Sequence, residues 1–305
     1  MSCILKLSRF VMQKIQRLFT GIPFWLCALA VFLLCGTAVI GRDYVTEEEL
    51  LVIQMLFRRD EVNRDIQYSA WNVLCSAGGM WLSMFAPILA VIPFVPEYLS
   101  ERINQNSRFI ISRLGGRRYT LGTLLSAMLS GGFVFVCGYA AFFIFAYCFF
   151  PSIQEYSSES IALYVEIQNS SSASWYKQML LHQQLFLPVI IQFLQMFLFG
   201  ACSTLPAVVL AAFLRNTYVV ICLPFFLVYA WTQANARLWA LAYADFENIN
   251  QTLARFAKLT DPSAIRFLII NGNVGTWQLA VHLGVCAICC VMFCFIRNRS
   301  VDCGE

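Results

Sequence analysis

The chain has 305 residues and a formal net charge of +4; 59% of it is hydrophobic and only 12% is charged, and its mean hydropathy is +0.67. Soluble domains carry about 25% charged residues, so half that density excludes a chain with a solvated face along most of its length. The few charges gather at the ends of apolar runs, which argues against a nucleic-acid-binding surface.

Residues 1–22 read as a basic amphipathic helix. Ile4, Leu7, Val11, Ile15 and Leu18 share one helical face, and Lys6, Arg9, Gln13 and Arg17 share the opposite one. Such a helix lies in the headgroup plane of a membrane. It serves either as an anchor that orients the first span or as an elbow that moves with it.

Six apolar stretches then reach the roughly 20 residues that cross a bilayer: Pro23–Gly41, Trp71–Val95, Tyr119–Phe150, Gln184–Leu214, Thr217–Gln233 and Gly275–Ile296. The expected fold class is therefore an all-α integral membrane protein, one transmembrane domain over residues 1–305. The first stretch ends near Gly36-Thr37-Ala38, a small-x-small pattern of the kind that follows a signal peptide, but it runs on through Val39 and Ile40. It is expected to remain as an uncleaved span. Pro87, Pro93, Pro188, Pro206 and Pro224 fall inside spans and predict kinks, because neighbouring helices re-satisfy the freed backbone groups.

Lysine and arginine set the direction. Twelve of them lie in short segments on one side of the expected membrane and nine in longer segments on the other. The first side, which holds both termini, is expected to be cytoplasmic. Residues 42–70, 151–183 and 234–274 are then extracytoplasmic. In the first of these, Thr46 and Glu49 form a capping box, and a helix is expected from Glu47 to about Ile66. In the last, Asp261-Pro262-Ser263 is expected to separate two short helices, and Asn271-Gly272-Asn273 turns the chain into the final span. A re-entrant cap and an ordinary amphipathic loop both fit there. Asn169 and Asn250 begin glycosylation-type triplets, a pattern that also arises often by chance.

The segment 96–118 is the most informative. Leu99, Ile103, Ile110 and Leu114 fall on one face at helical spacing, with Glu101, Asn104, Gln105, Arg108 and Ser112 on the other. Gly115-Gly116 ends this helix, and Arg117-Arg118 leads back to the membrane at Tyr119. A plain topogenic loop needs basic residues but no such periodicity.

Catalytic, cofactor and metal sites are not expected. No phosphate-binding GxxxxGK[ST], GxSxG or HExxH pattern occurs, and no span carries a charged residue at its middle. Eleven of the thirteen cysteines lie inside apolar runs and read as small packing residues. Cys286, Cys289, Cys290 and Cys294 include a CxxC spacing, but they sit on an apolar helix with only His282 nearby and no second ligand cluster, so a metal site is not expected there. His282, Gln192, Gln195 and Gln278 are expected to hydrogen-bond between helices. Ser126, Ser130, Gly131-Gly132, Gly78-Gly79 and Gly200-Ala201 mark close helix contacts.

The layout resembles the permease subunits of bacterial ABC-2 type transporters: a basic amphipathic N-terminus, six spans, both ends inside, and an outer segment before the last span. The resemblance is most specific from Glu97 to Tyr119, with Arg113-Leu114-Gly115 and then Arg117-Arg118-Tyr119 opening span three; Thr123 stands near where members often carry a lysine. The resemblance implies that 96–118 is a coupling helix, with Glu97, Glu101, Arg102, Arg108, Arg113, Arg117 and Arg118 facing a separate ATP-binding subunit. It implies a second permease copy or a paralogous chain as partner, a bacterial cell membrane as the location, and export of a peptide, lipid or other amphipathic molecule. A membrane scaffold or sensor that transports nothing, and a secondary transporter or channel, are the competing expectations.

Overall fold

The computed structural model describes residues 2–42, 49–57, 66–167, 172–244, 250–261 and 272–302. The chain is 85% helical, and among the described residues five helices are long and apolar enough to cross a membrane: Gly79–Ile103, Gly116–Glu155, Phe186–Phe213, Thr217–Ala242 and Trp277–Arg297. A sixth is obtained only if the bent pair Leu7–Thr20 and Ile22–Cys35 counts as one span.

That pair is where the fold departs first from expectation. Helix α1 (Ser2–Thr20) meets α2 (Ile22–Cys35) at Gly21 with a bend of 69°. Pro23 sits in the first turn of α2, where a missing amide is tolerated. The expected span to Gly41 stops at Cys35, so α2 is 14 residues long, about 21 Å at 1.5 Å per residue. Gly36 turns the chain, and β1 (Val39–Arg42) pairs antiparallel with β2 (Glu49–Leu51), Val39 opposite Leu51. Branched Val39 and Ile40 suit a strand better than a helix end. Of the helix expected from Glu47 to about Ile66, the described part holds only one helical turn, α3 (Val52–Met55), preceded by the strand Glu49–Leu51. Thr46, Glu47 and residues 58–65 lie outside the described residues.

The second span also starts later than expected. Helix α4 (Ala70–Ser76) is separated from α5 (Gly79–Val91) at Gly78 and Gly79, whose φ values of 86° and 34° are left-handed. Trp71 leaves the span to enter a polar network. Its indole Nε1 donates to Tyr176 Oη at 2.9 Å, and Tyr164 Oη donates to Asn72 Oδ1 at 2.9 Å. These bonds tie α4 to α9 (Ser158–Ile167) and α10 (Ser174–Leu181), with Ile66, Ile153 and Leu180 buried among them. Burial pushes the Tyr176 phenol well above its ordinary pKa, so it remains a neutral hydrogen-bonding group.

Pro93 lies in the turn that divides α5 from α6 (Val95–Ile103), and α7 (Asn106–Leu114) follows. The third span is α8 (Gly116–Phe149), the fourth α11 (Phe186–Phe213), the fifth α12 (Thr217–Ala242) and the sixth α14 (Gly272–Asp302), with α13 (Gln251–Leu259) before it. Pro87, Pro206 and Pro224 stand inside their helices. Helix α12 runs nine residues past the expected Gln233, through the alanine-rich Ala234–Ala242, which favours helix continuation. Asp245, Glu247, Pro262, Ser263, Asn271 and the triplet at Asn169 lie outside the described residues. Asn250 caps α13, its side chain accepting from Leu253 N.

Helix α8 is the axis of the bundle. Three glycines let neighbours approach it. A Cβ on Gly131 would stand 2.7 Å from the Gly200 carbonyl oxygen of α11, one on Gly122 would stand 2.8 Å from Phe10 of α1, and one on Gly138 would stand 2.6 Å from Val31 of α2. Close backbone approach of this kind drives helix association where lipid offers no hydrophobic gradient. Phe135, Tyr139 and Phe142 of α8 share a buried cluster with Met196 and Phe199 of α11. Gln192 reaches Tyr139 across the α8–α11 seam, as expected, whereas His282 Nδ1 meets the Gln278 carbonyl of its own helix at 2.7 Å. Gln278 itself bonds the Lys258 carbonyl of α13. The described cysteines are free thiols, and Cys202 of α11 meets Cys286 of α14 side chain to side chain.

Candidate functional site

The charged side chains of the expected coupling segment divide between the α1 side, the α11–α14 side and the exposed junction at Gly115. The segment is not one helix. Helices α6 and α7 are nine residues each, divided at Asn104-Gln105, where Gln105 takes a left-handed φ of 58°. The break resets the helical phase, so the expected faces hold only in part. Leu99 is fully buried, and Ile110 and Leu114 are half-buried, but Ile103 is 56% exposed and Ser107 is buried. Gly115, with φ 83° and ψ 144°, then separates α7 from α8. Nothing lies within 4 Å of where its Cβ would be, so backbone conformation rather than crowding makes glycine suit this junction.

The seven expected site residues fall into three environments. Glu97 and Glu101 face α1. The Lys14 ammonium lies 2.7 Å from Glu101 Oε2, with side chains only 6% and 13% exposed, and it also stands 5.5 Å from the ring centres of Phe10 and Phe94. Glu97 reaches Arg17 at 4.0 Å, but the Arg17 side chain is 72% exposed, and a pair so open to solvent contributes little. Arg102 and Arg108 face the other way. Arg102 Nη1 donates to the Ala211 carbonyl at 2.7 Å, satisfying one of the free carbonyls in the last turn of α11. Arg113, Arg117 and Arg118 are exposed on either side of Gly115.

Two hollows result. A groove of about 630 Å³ separates α1 from α7, with Arg9, Gln13 and Arg17 on one wall and Phe109, Ile110 and Arg113 on the other; the Lys14–Glu101 pair also lines it. A smaller cavity of about 190 Å³ lies between α6, α7, the α11–α12 turn and the end of α14, and four arginines line it: Arg102, Arg108, Arg215 and Arg297. Arg297 is only 2% exposed, and its guanidinium carbon stands 5.8 Å from the centre of the Tyr119 ring, a favourable cation–π placement.

Lys14, Arg215 and Arg297 belong to the twelve lysines and arginines on the side expected to be cytoplasmic, and none of the three is among the expected site residues. For Lys14 the signal was present: it lies four residues after Phe10 and four before Leu18, on one helical face, and all three are buried. For Arg215 and Arg297 no local pattern announces that turns distant in sequence converge. At the opposite end of α12, Trp239, Tyr243, Arg255, Lys258 and Trp277 line a hollow of about 650 Å³. Among the described residues no group of three His, Cys, Asp or Glu side chains is placed to hold a metal ion.

No protein-family model, curated protein or solved structure matches this chain.

Proposed function

We propose that this chain is the membrane-spanning permease subunit of an ATP-driven transporter of the ABC-2 type, with α7 as the element on which a separate ATP-binding subunit docks. The observation that carries the reading is the isolation of α7. It is a nine-residue helix set off by Gln105 on one side and Gly115 on the other, strung between two long apolar helices. It exposes Arg108, Phe109 and Arg113, Phe109 by 73%. An exposed phenylalanine flanked by arginines is the composition of an interface anchor. A load placed on α7 passes through Gly115 directly into α8, the helix that most others touch.

On this reading α1 and α2 together make the sixth crossing, and both termini lie in the cytoplasm of a bacterial cell. The lysine and arginine bias supports that direction. Helices α12 and α14 bury little of their surface in the chain: Phe226, Leu227, Val285, Ile288, Val291 and Phe295 are all more than half exposed. Exposed apolar area on this scale calls for lipid or a second permease. The cargo is an amphipathic molecule such as a peptide or lipid, carried outward.

The test is purification of the tagged chain in mild detergent with identification of the chains that accompany it. An ATP-binding subunit is expected, and replacing Arg113, Arg117 and Arg118 with glutamate is expected to release it without loss of the folded permease. Purification alone, or with an ATPase that ignores the charge reversal, refutes the docking role of α7.

A further inference from the structure

The hollow between the end of α12, α13 and the start of α14 takes no part in the docking of α7. Three bonds hold its walls. Asn250 N donates to the Ala242 carbonyl at 3.0 Å, Trp231 Nε1 donates to the Thr260 carbonyl at 2.7 Å, and Gln278 Nε2 donates to the Lys258 carbonyl. They fix α13 against both of its neighbours, and Ala257 of α13 is fully buried. The rings of Trp239 and Tyr243 stack with their centres 5.5 Å apart and 18° between their planes, which makes one flat aromatic wall. Trp277 and Leu259 extend the apolar lining, and Arg255 and Lys258 add two positive charges to it. These two stand three positions apart on α13 and are therefore neighbours on one helical face.

The lining selects its ligand. Two indoles, a guanidinium and an ammonium offer donors, and among the described residues no carboxylate or carboxamide side chain lines the hollow. A sugar brings hydroxyl donors that need acceptors. A quaternary ammonium suits aromatic rings but is repelled by two cations. A phosphodiester anion brings acceptors alone, and an arginine fork matches its oxygens two at a time. About 650 Å³ is far more than a phosphate fills, and the remaining wall is aromatic or aliphatic, so the ligand also carries an apolar part. Position supplies that part. Ala242 ends the apolar helix Thr217–Ala242, and Trp277 begins Trp277–Arg297. The hollow thus lies where two spans leave the hydrocarbon, at the level of phospholipid phosphates and interfacial aromatic rings. Leu241, between Trp239 and Tyr243, is 64% exposed, and Phe256, next to Arg255, is 50% exposed, an apolar margin that suits acyl chains. We propose that this hollow binds an anionic phospholipid, its phosphate between Arg255 and Lys258 and an acyl chain against Trp239, Tyr243 and Trp277. The site requires a bilayer but neither an ATPase nor transport, so it stands or falls apart from the permease reading.

The experiment uses the full chain in lipid-free detergent. Phosphatidylglycerol, phosphatidylcholine or inorganic phosphate is titrated in, the melting temperature is followed, and native mass spectrometry counts the lipids retained. Phosphatidylglycerol is expected to raise the melting temperature and to remain bound, with no comparable response to the other two. Arg255→Gln/Lys258→Gln is expected to weaken phosphatidylglycerol binding by about 30-fold. Arg9→Gln/Arg17→Gln, in the groove between α1 and α7, is expected to leave it unchanged. An equal response to phosphatidylcholine makes the hollow a place for any lipid, and an equal response to inorganic phosphate makes it a small-anion site; either overturns the assignment. Unchanged phosphatidylglycerol binding in the Arg255/Lys258 variant overturns it as well, as does a parent chain that retains no phosphatidylglycerol. Should the Arg255/Lys258 variant fail to fold, Trp277→Ala decides, because its ring is 70% exposed: several-fold weaker phosphatidylglycerol binding supports the acyl wall, and undiminished binding overturns the proposal.

Discussion

The Lys14 ammonium and the Glu101 carboxylate meet at 2.7 Å across 87 positions of sequence, joining α1 to α6 through a bond that solvent scarcely reaches. Removing one partner leaves the other charge buried alone, at a cost of about 3–5 kcal/mol. Lys14→Met is therefore expected to lower the melting temperature strongly, and Glu101→Met likewise. The double variant is expected to recover most of the loss, because an apolar pair carries no desolvation penalty. A double-mutant cycle read by thermal unfolding in detergent checks this; simple additivity of the two losses contradicts it.

Gln105 holds a left-handed backbone at the joint between α6 and α7. A non-glycine residue in that region costs about 1 kcal/mol or more. Gln105→Gly is expected to leave stability unchanged or raise it by about that amount, and Gln105→Val to lower it. If valine melts no lower than glutamine, the joint does not adopt this conformation in the folded protein.

Gly131 and Gly200 place α8 and α11 in backbone contact, with the Gly200 carbonyl 2.7 Å from where a Gly131 side chain would begin. Gly200→Leu forces the helices apart, and overpacking of this kind costs about 1–3 kcal/mol at least. Gly284 has nothing within 4 Å of its would-be Cβ. Gly284→Leu is expected to be tolerated, which makes the pair a controlled comparison of melting temperature and detergent-extractable yield.

Trp71 Nε1 depends on Tyr176 Oη as its acceptor. Tyr176→Phe leaves that buried donor unsatisfied and is expected to destabilise by about 1–3 kcal/mol, while Trp71→Phe/Tyr176→Phe is expected to lose less than the two single changes combined. Because burial raises the Tyr176 pKa, the bond's contribution is fully present below the unfolded tyrosine value of about 10 and is lost only as pH climbs through the raised folded value. Melting temperatures of parent and Tyr176→Phe are therefore expected to keep a constant separation from pH 6 to pH 9.

The third to sixth spans were legible because unbroken apolar runs leave no alternative to a buried or lipid-facing helix; all four recur within a few residues, apart from the extension of α12. The stop at Gly115 was legible too, since glycine ends helices by backbone chemistry alone. Cys35 was not legible as a helix end. Val39 and Ile40 are apolar enough to prolong a span, and only pairing with Glu49–Leu51 draws them into a strand. Trp71 was hidden for a similar reason: its apolar ring suits a span, while its indole nitrogen bonds a tyrosine 105 residues away. Gln105 gave no warning at all, because glutamine has good helix propensity. In the candidate site, the basic character of 96–118 was plain, but the division of its charges between Lys14 on one side and Arg215 with Arg297 on the other belongs to tertiary structure.

The contact of Gly131 with Gly200 also governs how α8 moves. Two helices touching backbone to backbone at one place cannot slide along each other without collision, yet they retain freedom to tilt about that place. Gly131 lies about 22 Å from the start of α8 and about 27 Å from its end at 1.5 Å per residue, with the helix running from Gly116 to Phe149. The contact is then a fulcrum near the middle of a beam. For a rigid α8, a sideways displacement where Gly115 joins α7 corresponds to one of comparable size and opposite sense at Phe149.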